Sequence, residues 1–572
     1  MAMADSSDQT TAPRKRWIIG PVQDLVLFVA TPILILPGVL GLGWAGVGSF
    51  ALNKWVMALG GMGHHLPGMM RAYGDRELFR RFKTRFIFAP LLIGGACVGF
   101  SVAGLHTMVL VTYLWGVWHG LMQTHGFLRI YDSKVGSFAR RTARLDFALC
   151  VSWFLGGVLF SDTRVDYAQE MVLSCGGPMM TADAVQAVRA VAGAAIGVIT
   201  LTYLWNIWAR RRAGQPPSPV KLLLAVTSVA WWWFANVHVA DILIGIILFE
   251  IFHDVQYLTI VWLFNRSRVD KDPSVGPFSR MLFRRSKPLL FVYVALVFGY
   301  GALGPWSEEK FAGTGVGNIF AGLLVTSALL HFYYDGFIWK VRESNTRANL
   351  GIKQDAPQGA AQGSRFPPGL AHAAKWALLA APVLVLGVLE TSGVEPEHAR
   401  AGLLADLNPT LPSAQLRLGV ALKKAGDVDG ALRALDNAHT SDPEDRKAGA
   451  LLALTLIELG ETRLRENRQA EAEEYLHRAY LLDPAFVGKM HDEGRVLLPR
   501  DPVEAAWRFR AVLAMKPEGN LGPIWLNLGL ALERQGLLME AMPCARTAAR
   551  LLPRDARARQ FVEHLSRLIR DK

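Results

Sequence analysis

The sequence predicts an all-α protein in which a polytopic bundle of transmembrane helices is followed by a helical solenoid. The 572-residue chain is 51% hydrophobic and has a mean hydropathy of +0.24. Its apolar residues form long runs up to residue 392, whereas residues 400–572 are polar, rich in Ala and Leu, and repetitive. We therefore expect a cytoplasmic tail (1–22), a transmembrane domain (23–392) and a repeat domain (400–572).

About eleven apolar runs approach the ~20 residues that a helix needs to cross a bilayer. They cover residues 23–46, 48–70, 87–105, 107–128, 144–161, 187–208, 219–236, 239–264, 288–304, 319–339 and 372–391. The boundaries between neighbouring runs are least clear in the sequence at residues 41–48 and 236–239. We expect no cleavable signal peptide, because the first run is long and lacks a small-residue cleavage site.

Lys and Arg residues cluster in loops that would all lie on one side of the membrane. These loops are residues 71–86, 129–144, 209–221, 265–287 and 340–371. The positive-inside rule places them, and the amino terminus, in the cytoplasm. An odd number of spans then places the repeat domain outside the cytoplasm, in the periplasm if the membrane is a bacterial inner membrane. The same loops explain the net charge of +13 without a nucleic-acid partner.

Residues 412–445 and 522–555 carry the same spacing of small and apolar residues before a proline. The first contains Leu418, Gly419, Leu422, Gly426, Ala431, Leu435, Ala438 and Pro443, and the second contains Trp525, Leu528, Gly529, Leu532, Gly536, Ala541, Ala545, Ala548 and Pro553. This pattern resembles the tetratricopeptide repeat (TPR), which has a period of 34 residues. Residues 453–486 keep part of it, and residues 486–519 have Glu493 where the glycine is expected.

The resemblance to tetratricopeptide repeats implies an α-solenoid with a groove for a peptide or protein partner, and it implies no chemistry. The last predicted helix, Asp555–Arg570, has a strongly charged outer face, as a capping helix should. The four cysteines form no CxxC pair, so neither a zinc knuckle nor a disulfide framework is expected.

The eighth apolar run carries several ionisable residues on one helix face. Glu250, His253, Asp254 and Tyr257 follow at i, i+3, i+4 and i+7. Ionisable groups inside a membrane are costly and typically mark a functional site. This face is therefore the predicted centre of the site.

Other apolar runs carry histidines at a similar depth. At ~1.5 Å per residue from the nearest basic loop, His65, His119, His253 and His331 lie roughly 9–20 Å from the cytoplasmic boundary. His238 is about 22 Å from His253 along the helix, in the other leaflet. Because a shared layer is what a metal site needs, we predict metal ligands in this layer. The candidate ligands are His64, His65, His119, His125, His253 and His331.

The accompanying carboxylates are the candidate catalytic groups Glu250, Asp254 and Asp335. Asp335 follows His331 by one helical turn, and the Glu250-x2-His253 spacing occurs in di-iron carboxylate bundles. Histidine and carboxylate without cysteine favour non-haem iron, mono- or dinuclear, over structural zinc. Such a site in a bilayer suits oxidation of a lipid or another apolar small molecule by dioxygen.

In this respect the membrane domain resembles the histidine-rich membrane desaturases and hydroxylases, although the HxxxH and HxxHH motifs of that group are absent. It also resembles the bacteriorhodopsin-related carotenoid-cleaving oxygenases, which carry single histidines on separate helices. Both resemblances imply a metal-dependent membrane oxidoreductase.

Other functions remain open at the level of sequence. A haem could be held by His119 or His125 together with His253 or His331. The chain could also be a non-catalytic membrane scaffold, an assembly factor or a transporter that works through its repeats.

Simpler interpretations apply to several single residues. His106 and His238 would bond a neighbouring helix, and Asp132 and Asp254 would pair with cytoplasmic arginines. Tryptophans such as Trp232 and Trp339 would be interface anchors.

Overall fold

The computed structural model describes residues 16–272, 275–284, 286–339, 349 and 368–571. All regular structure in these residues is helical, so the prediction of an all-α chain is confirmed for them. The chain divides into two compact units, Met1–Glu395 and Pro396–Lys572. Residues 1–15 of the predicted tail and most of the basic loop 340–371 lie outside the described residues.

The first unit consists of long helices interrupted by three short π-helical segments. In chain order they are α1 (Pro21–Asp24), π1 (Leu25–Val29), α2 (Thr31–Trp44), α3 (Ser49–Val56), π2 (Met57–Gly61), α4 (His65–Gly74), α5 (Arg76–Arg81), α6 (Lys83–Val102), α7 (Thr107–Lys134), α8 (Arg140–Leu159), α9 (Asp162–Ser174), α10 (Ala182–Arg212), α11 (Pro219–Trp233), π3 (Phe234–His238), α12 (Ile242–Lys271), α13 (Pro277–Leu282), α14 (Lys287–Gly301), α15 (Leu303–Phe311), α16 (Gly315–Ile338) and α17 (Pro368–Thr391).

Local sequence explains where the central helices begin. The Asp241 side chain accepts a hydrogen bond from the Leu243 N–H at 2.8 Å and caps α12. Ser218 caps α11, whose first residue is Pro219, a residue suited to the first helical turn. The helices do break at both boundaries that were least clear in the sequence, between α2 and α3 and between π3 and α12.

Among the described residues, seven helical segments are long and apolar enough to cross a membrane, and an eighth is added if the bent pair α1–π1 plus α2 counts as one span. The predicted number of about eleven is therefore not reached by length and composition. The run 48–70 is divided among α3, π2 and α4, and the described apolar part of the last run is only Trp376–Thr391. The 28-residue helix α7 is not among the seven, and polar side chains such as Gln123 interrupt its apolar stretch.

A buried ion cluster ties three helices of this unit together. The Lys221 ammonium on α11 contacts Asp132 of α7 and Asp146 of α8, both at 2.7 Å. The Arg129 guanidinium contacts the same two carboxylates at 2.7 and 2.8 Å. Asp132 is thus paired with an arginine, as the simpler interpretation predicted. The buried Lys221 and the partly exposed Arg129 balance two buried carboxylates, which is the arrangement that makes charge burial tolerable.

Trp232 and Trp339 depart from the interface role that the sequence suggested for them. Trp232 is buried, stacks on Phe154, and donates its indole N–H to the Phe154 carbonyl at 2.8 Å. Trp339 donates to Asp335 at 3.0 Å. Both rings pack inside the bundle because an internal oxygen acceptor satisfies the indole N–H.

The second unit is a series of paired helices. They are α18 (Glu397–Leu407), α19 (Pro412–Ala425), α20 (Val428–Ser441), α21 (Arg446–Arg465), α22 (Gln469–Leu482), α23 (Ala485–Leu497), α24 (Pro502–Ala514), α25 (Gly522–Arg534), α26 (Leu538–Leu551) and α27 (Ala556–Arg570). Four pairs, α19–α20 to α25–α26, follow the order of tetratricopeptide repeats, and α27 comes last, as the predicted capping helix. Helix α21 starts seven residues before position 453, where the repeat was predicted to begin.

Glycines let the two helices of a pair approach closely. A Cβ added at Gly419 of α19 would lie 2.6 Å from Leu435 Cγ of α20. The third pair corrects the sequence alignment, because its contact glycine is Gly494 and not the position of Glu493. A Cβ at Gly494 would lie 2.7 Å from Phe509 Cε1, whereas Glu493 lies 3.7 Å from the guanidinium of Arg508.

Candidate metal centre

Four helices of the first unit each bring one histidine to a common point. His64 precedes α4 directly, His119 is on α7, His253 on α12 and His331 on α16. One ring nitrogen from each of the four lies within 4.8 Å of the others. The predicted layer of histidines therefore contains a cluster whose imidazoles converge.

The spacing of the nitrogens suits ligands of a single ion. The Nε2 atoms of His64 and His331 are 3.1 Å apart, and those of His331 and His119 are 3.2 Å apart. Nitrogens bound at about 2.1 Å to one metal ion are roughly 3.0–3.4 Å apart for angles of 90–109°. His331 Nε2 faces both other nitrogens, but an imidazole nitrogen offers either one N–H or one lone pair, so hydrogen bonding among neutral rings can satisfy only one of the two contacts. Lone pairs directed at a shared cation would satisfy all three nitrogens.

The second ring nitrogen of His64 is held by oxygen atoms. His64 Nδ1 lies 3.0 Å from the Gly60 carbonyl and 2.8 Å from Asp254 Oδ1. Gly60 belongs to π2, a type of local helix distortion that is frequent at functional sites. Metal-binding histidines typically donate the other N–H to a carboxylate or a backbone carbonyl, which orients the ring. Asp254 therefore contacts a histidine and not the cytoplasmic arginine that the simpler interpretation suggested.

Asp335 is positioned beside His331 by an aromatic pair. Its Oδ1 accepts hydrogen bonds from the Tyr257 hydroxyl at 3.1 Å and from the Trp339 indole at 3.0 Å. Its Oδ2 is 3.8 Å from His331 Nε2. The Tyr257 ring is also 5.1 Å from the His331 ring. The Asp335 carboxylate thus lies next to the cluster, and its two hydrogen bonds orient it there.

His253 and Glu250 complete the α12 side of the cluster. The His253 ring centroid is 5.1 Å from those of His64 and His119. Glu250 and Asp254 each place a carboxylate oxygen within 4.8 Å of a His64 nitrogen. The predicted helix face of Glu250, His253, Asp254 and Tyr257 is therefore directed at the cluster.

The cluster is shielded from water by aromatic rings. His64, His253 and His331 are at most 4% exposed, and His119 is 9% exposed. Phe332 stacks on His119 at 4.7 Å. Apolar surroundings favour neutral imidazoles, which are the ligating form of histidine.

Two predicted ligands are not part of the converging set. His65 directs Nδ1 to the Ser327 hydroxyl at 3.0 Å, and its ring stacks on His331 at 4.7 Å. Ser327 in turn lies 2.7 Å from the Tyr300 hydroxyl. His125 packs edge-on against Phe147 at 5.6 Å, away from the cluster. His65 thus borders the cluster, and His125 lies outside it because the side chains of residues 119 and 125 leave α7 in different directions.

Two further histidines lie outside the cluster. Among the described residues, His106 forms the bond to a neighbouring helix that the simpler interpretation predicted, and His238 does not. His238 ends π3 and packs against Phe234 at 6.4 Å. His106 Nδ1 lies 3.1 Å from Glu390 Oε1.

The sequence did not point to several residues that shape the cluster. Gly60 and Gly68 are two of them, since an added Cβ would overlap Asp254 Oδ2 at the first and lie 3.0 Å from the Tyr257 hydroxyl at the second. Ser327 and Arg71 were also missed. The positions of Gly60 and Gly68 on either side of the His64-His65 doublet were the available sequence signal for these residues. Glycines are too common in apolar helices for that signal to be decisive.

The fold and the cluster together define a class: an all-helical protein with several helices of membrane-spanning length, a buried four-histidine cluster and a tetratricopeptide-type solenoid. No protein-family model and no curated protein matches the chain. Among solved structures, similarity is found to "Crystal structure of MamA protein", with 19% identity over 28% of this chain and 83% of that one, at a TM-score of 0.16.

A second similar structure is "Crystal Structure of P58(IPK) TPR Domain at 2.5 A". It has 15% identity over 64% of this chain and 97% of that one, with a TM-score of 0.15. With TM-scores this low, the assignment of the repeat domain rests on its own helix pairs and glycine contacts.

Proposed function

We propose that the chain is an integral membrane metalloenzyme that oxidises a lipid or another apolar molecule at a non-haem iron held by His64, His119, His253 and His331. The observation that carries the proposal is the convergence of four buried ring nitrogens within 4.8 Å. Imidazole ligands with nearby carboxylates suit iron. A ferrous ion bound there would supply dioxygen activation.

The residues around the cluster have distinct roles in this proposal. Asp254 and the Gly60 carbonyl orient His64, and Asp335 stands beside His331. Of the two carboxylates on α12, Glu250 is partly exposed and Asp254 is buried against His64, so Glu250 is the one suited to exchange a proton with a reactant. The rings of Phe249 and Phe332 exclude water from the reacting centre.

A mononuclear centre is favoured over a dinuclear one. Asp254 Oδ1 already lies 2.8 Å from His64 Nδ1, where it supports the histidine ring. The four ring nitrogens lie within 4.8 Å of one another, a spacing that suits one ion.

Bis-histidine haem is disfavoured by the same geometry. Axial nitrogens on a haem iron lie about 4 Å apart on opposite sides of a wide porphyrin plane. Here the Nε2 atoms of His119 and His331 are only 3.2 Å apart, and two further histidines stand beside them.

The solenoid is proposed to bind a protein partner through its groove, and the membrane is proposed to be a bacterial inner membrane with the solenoid in the periplasm. This part of the proposal rests on the repeat pattern and the basic loops, and it does not depend on the metal.

Elemental analysis of the purified protein tests the enzyme proposal. The wild type is expected to carry about one iron per chain, and His253→Ala and His331→Ala should each lose it. His238→Ala removes a histidine outside the cluster and should keep the full content. If the wild type holds neither metal nor haem, or if both cluster variants keep the metal, the enzyme proposal fails and a scaffold or transport function becomes the better interpretation.

A further inference from the structure

Arg71 is a buried guanidinium that makes no hydrogen bond with any described residue. Its Cζ atom lies 4.0 Å from the ring centroids of both Phe264 and Trp339, and because the two rings stand at 83° to each other with centroids 5.1 Å apart, the guanidinium lies in the corner between them. The residue is 6% exposed, and its buried Nε and Nη1 atoms have no acceptor among the described residues. The two rings stabilise the charge, but they leave these N–H donors without an acceptor.

The carboxylates near Arg71 are engaged elsewhere. Asp75 pairs with the Arg268 guanidinium at 2.9 Å. Asp335 accepts from Tyr257 and Trp339 and forms no ion pair with Arg71. Leaving charged donors unpaired in a buried environment is costly, and cation–π contacts offset only part of that cost. The edge of Arg71 is therefore suited to an oxygen acceptor from outside the chain.

Arg71 continues the helix face that leads away from the histidine cluster. His64, Gly68 and Arg71 follow at i, i+4 and i+7, which places them on one side of α4. A Cβ at Gly68 would lie 3.4 Å from His331 Nδ1 and 3.6 Å from Asp335 Oδ1, so this face borders the cluster. The rise along α4 from His64 to Arg71 is about 10 Å.

We propose that Arg71 binds the oxygen-bearing polar end of an apolar chain, a carboxylate or an ester, while the chain extends towards the histidines. Guanidinium groups bind such oxygens well, and the flanking rings of Phe264 and Trp339 suit the adjoining methylene groups. This assignment of the substrate class rests on the proposed function for the chemistry at the far end. The binding step itself requires no metal.

Quenching of tryptophan fluorescence by brominated ligands tests the proposal, because Trp339 lies against Arg71. The probes are a bromo-fatty carboxylate, its methyl ester and a bromoalkane of equal length, added to the full-length protein in detergent. The wild type is expected to bind the carboxylate or the ester about 10–100-fold more tightly than the bromoalkane, as a hydrogen bond to a charged group implies. Preference for the carboxylate over the ester would identify a free fatty acid, and equal binding an ester-linked lipid.

Arg71→Met should abolish the preference, whereas Arg189→Met, which removes a guanidinium that pairs with Asp162, should keep it. Equal binding of all three probes by the wild type would overturn the proposal, as would an undiminished preference in a folded Arg71→Met protein. Should that variant not fold, Arg71→Lys replaces it and must weaken the preference severalfold.

Metal analysis of the same preparations separates the two proposals. Selective binding by a metal-free wild type supports the Arg71 site and removes the enzyme proposal. A metal-loaded wild type that binds all three probes equally supports the enzyme proposal and overturns the Arg71 site.

Discussion

His64 has both ring nitrogens engaged in the cluster and its support. Nε2 faces His331 and Nδ1 faces Asp254 and the Gly60 carbonyl. A side chain at position 60 would collide with the Asp254 carboxylate. The small residue at position 60 is thus what allows Asp254 to reach the histidine.

Gly60→Ala should therefore weaken metal binding without unfolding the protein. The added methyl group pushes Asp254 away from His64, and loss of such a supporting carboxylate typically costs 10–100-fold in metal affinity. Gly95→Ala on the exposed face of α6 is the matched control, because no atom lies within 4 Å of its added Cβ. Chelator competition measures both, and equal metal affinity in the two variants would contradict the role of Asp254.

At the level of secondary structure, the ion cluster of α7, α8 and α11 predicts that replacing Lys221 lowers the stability of the protein markedly. Lys221→Met leaves Asp132 and Asp146 with Arg129 alone, and removing one partner of a buried ion cluster costs about 3–5 kcal/mol. Lys54→Met is the control, since its ion pair with Glu308 is long, at 3.9 Å, and largely exposed. Thermal unfolding in detergent should show a markedly lower unfolding temperature for Lys221→Met and almost no change for Lys54→Met. Similar losses in both would refute the importance of the cluster.

In the solenoid, Gly529 of α25 is a contact glycine with two neighbours. An added Cβ would lie 2.9 Å from Phe561 Cε1 of the capping helix α27 and 3.5 Å from Cys544 Cβ of its partner helix. Gly529→Leu should overpack both contacts and cost roughly 1–3 kcal/mol. Gly488→Leu on α23 meets no atom within 4 Å and should leave stability nearly unchanged.

The urea midpoint of the isolated fragment 396–571 measures the effect of Gly529→Leu. The fragment should give a helical circular-dichroism spectrum on its own, since it forms a separate compact unit. A disordered spectrum would contradict the solenoid assignment, and equal midpoints for the two variants would contradict the predicted contact.

For the whole molecule, the number of membrane crossings determines where the solenoid lies. Eleven crossings place the carboxyl terminus opposite the amino terminus, whereas eight place both on one side. We predict eleven, because all five basic loops then fall on one side of the membrane, whereas length and composition alone give seven or eight crossings among the described residues.

A fluorescent protein that matures only in the cytoplasm should therefore stay dark when fused after Lys572. A fusion that follows Asp272, in a predicted cytoplasmic loop, should be bright and serves as the control. A bright fusion at Lys572 would remove one crossing, and the short apolar helix Trp376–Thr391 would be the first candidate.

Much of the fold could be predicted from local sequence. Apolar runs specify buried or lipid-facing helices because burial and helix length depend on consecutive residues. The repeat was found because Gly419 and Gly529 recur with the same neighbours. The shift from Glu493 to Gly494 escaped prediction, because the spacing between repeats varies and only the contact with Phe509 shows which residue faces the partner helix.

By itself, the sequence determined which segments are apolar, and it predicted that the protein is helical and that several histidines share one depth with Glu250 and Asp254. Only the tertiary structure decided that His64, His119, His253 and His331 converge while His125 does not, and that the buried Arg71 guanidinium has no hydrogen-bond acceptor among the described residues. The physical reason is that the period of a helix specifies depth and face along its own axis. The rotation of each helix against its neighbours depends on side-chain packing between segments distant in sequence.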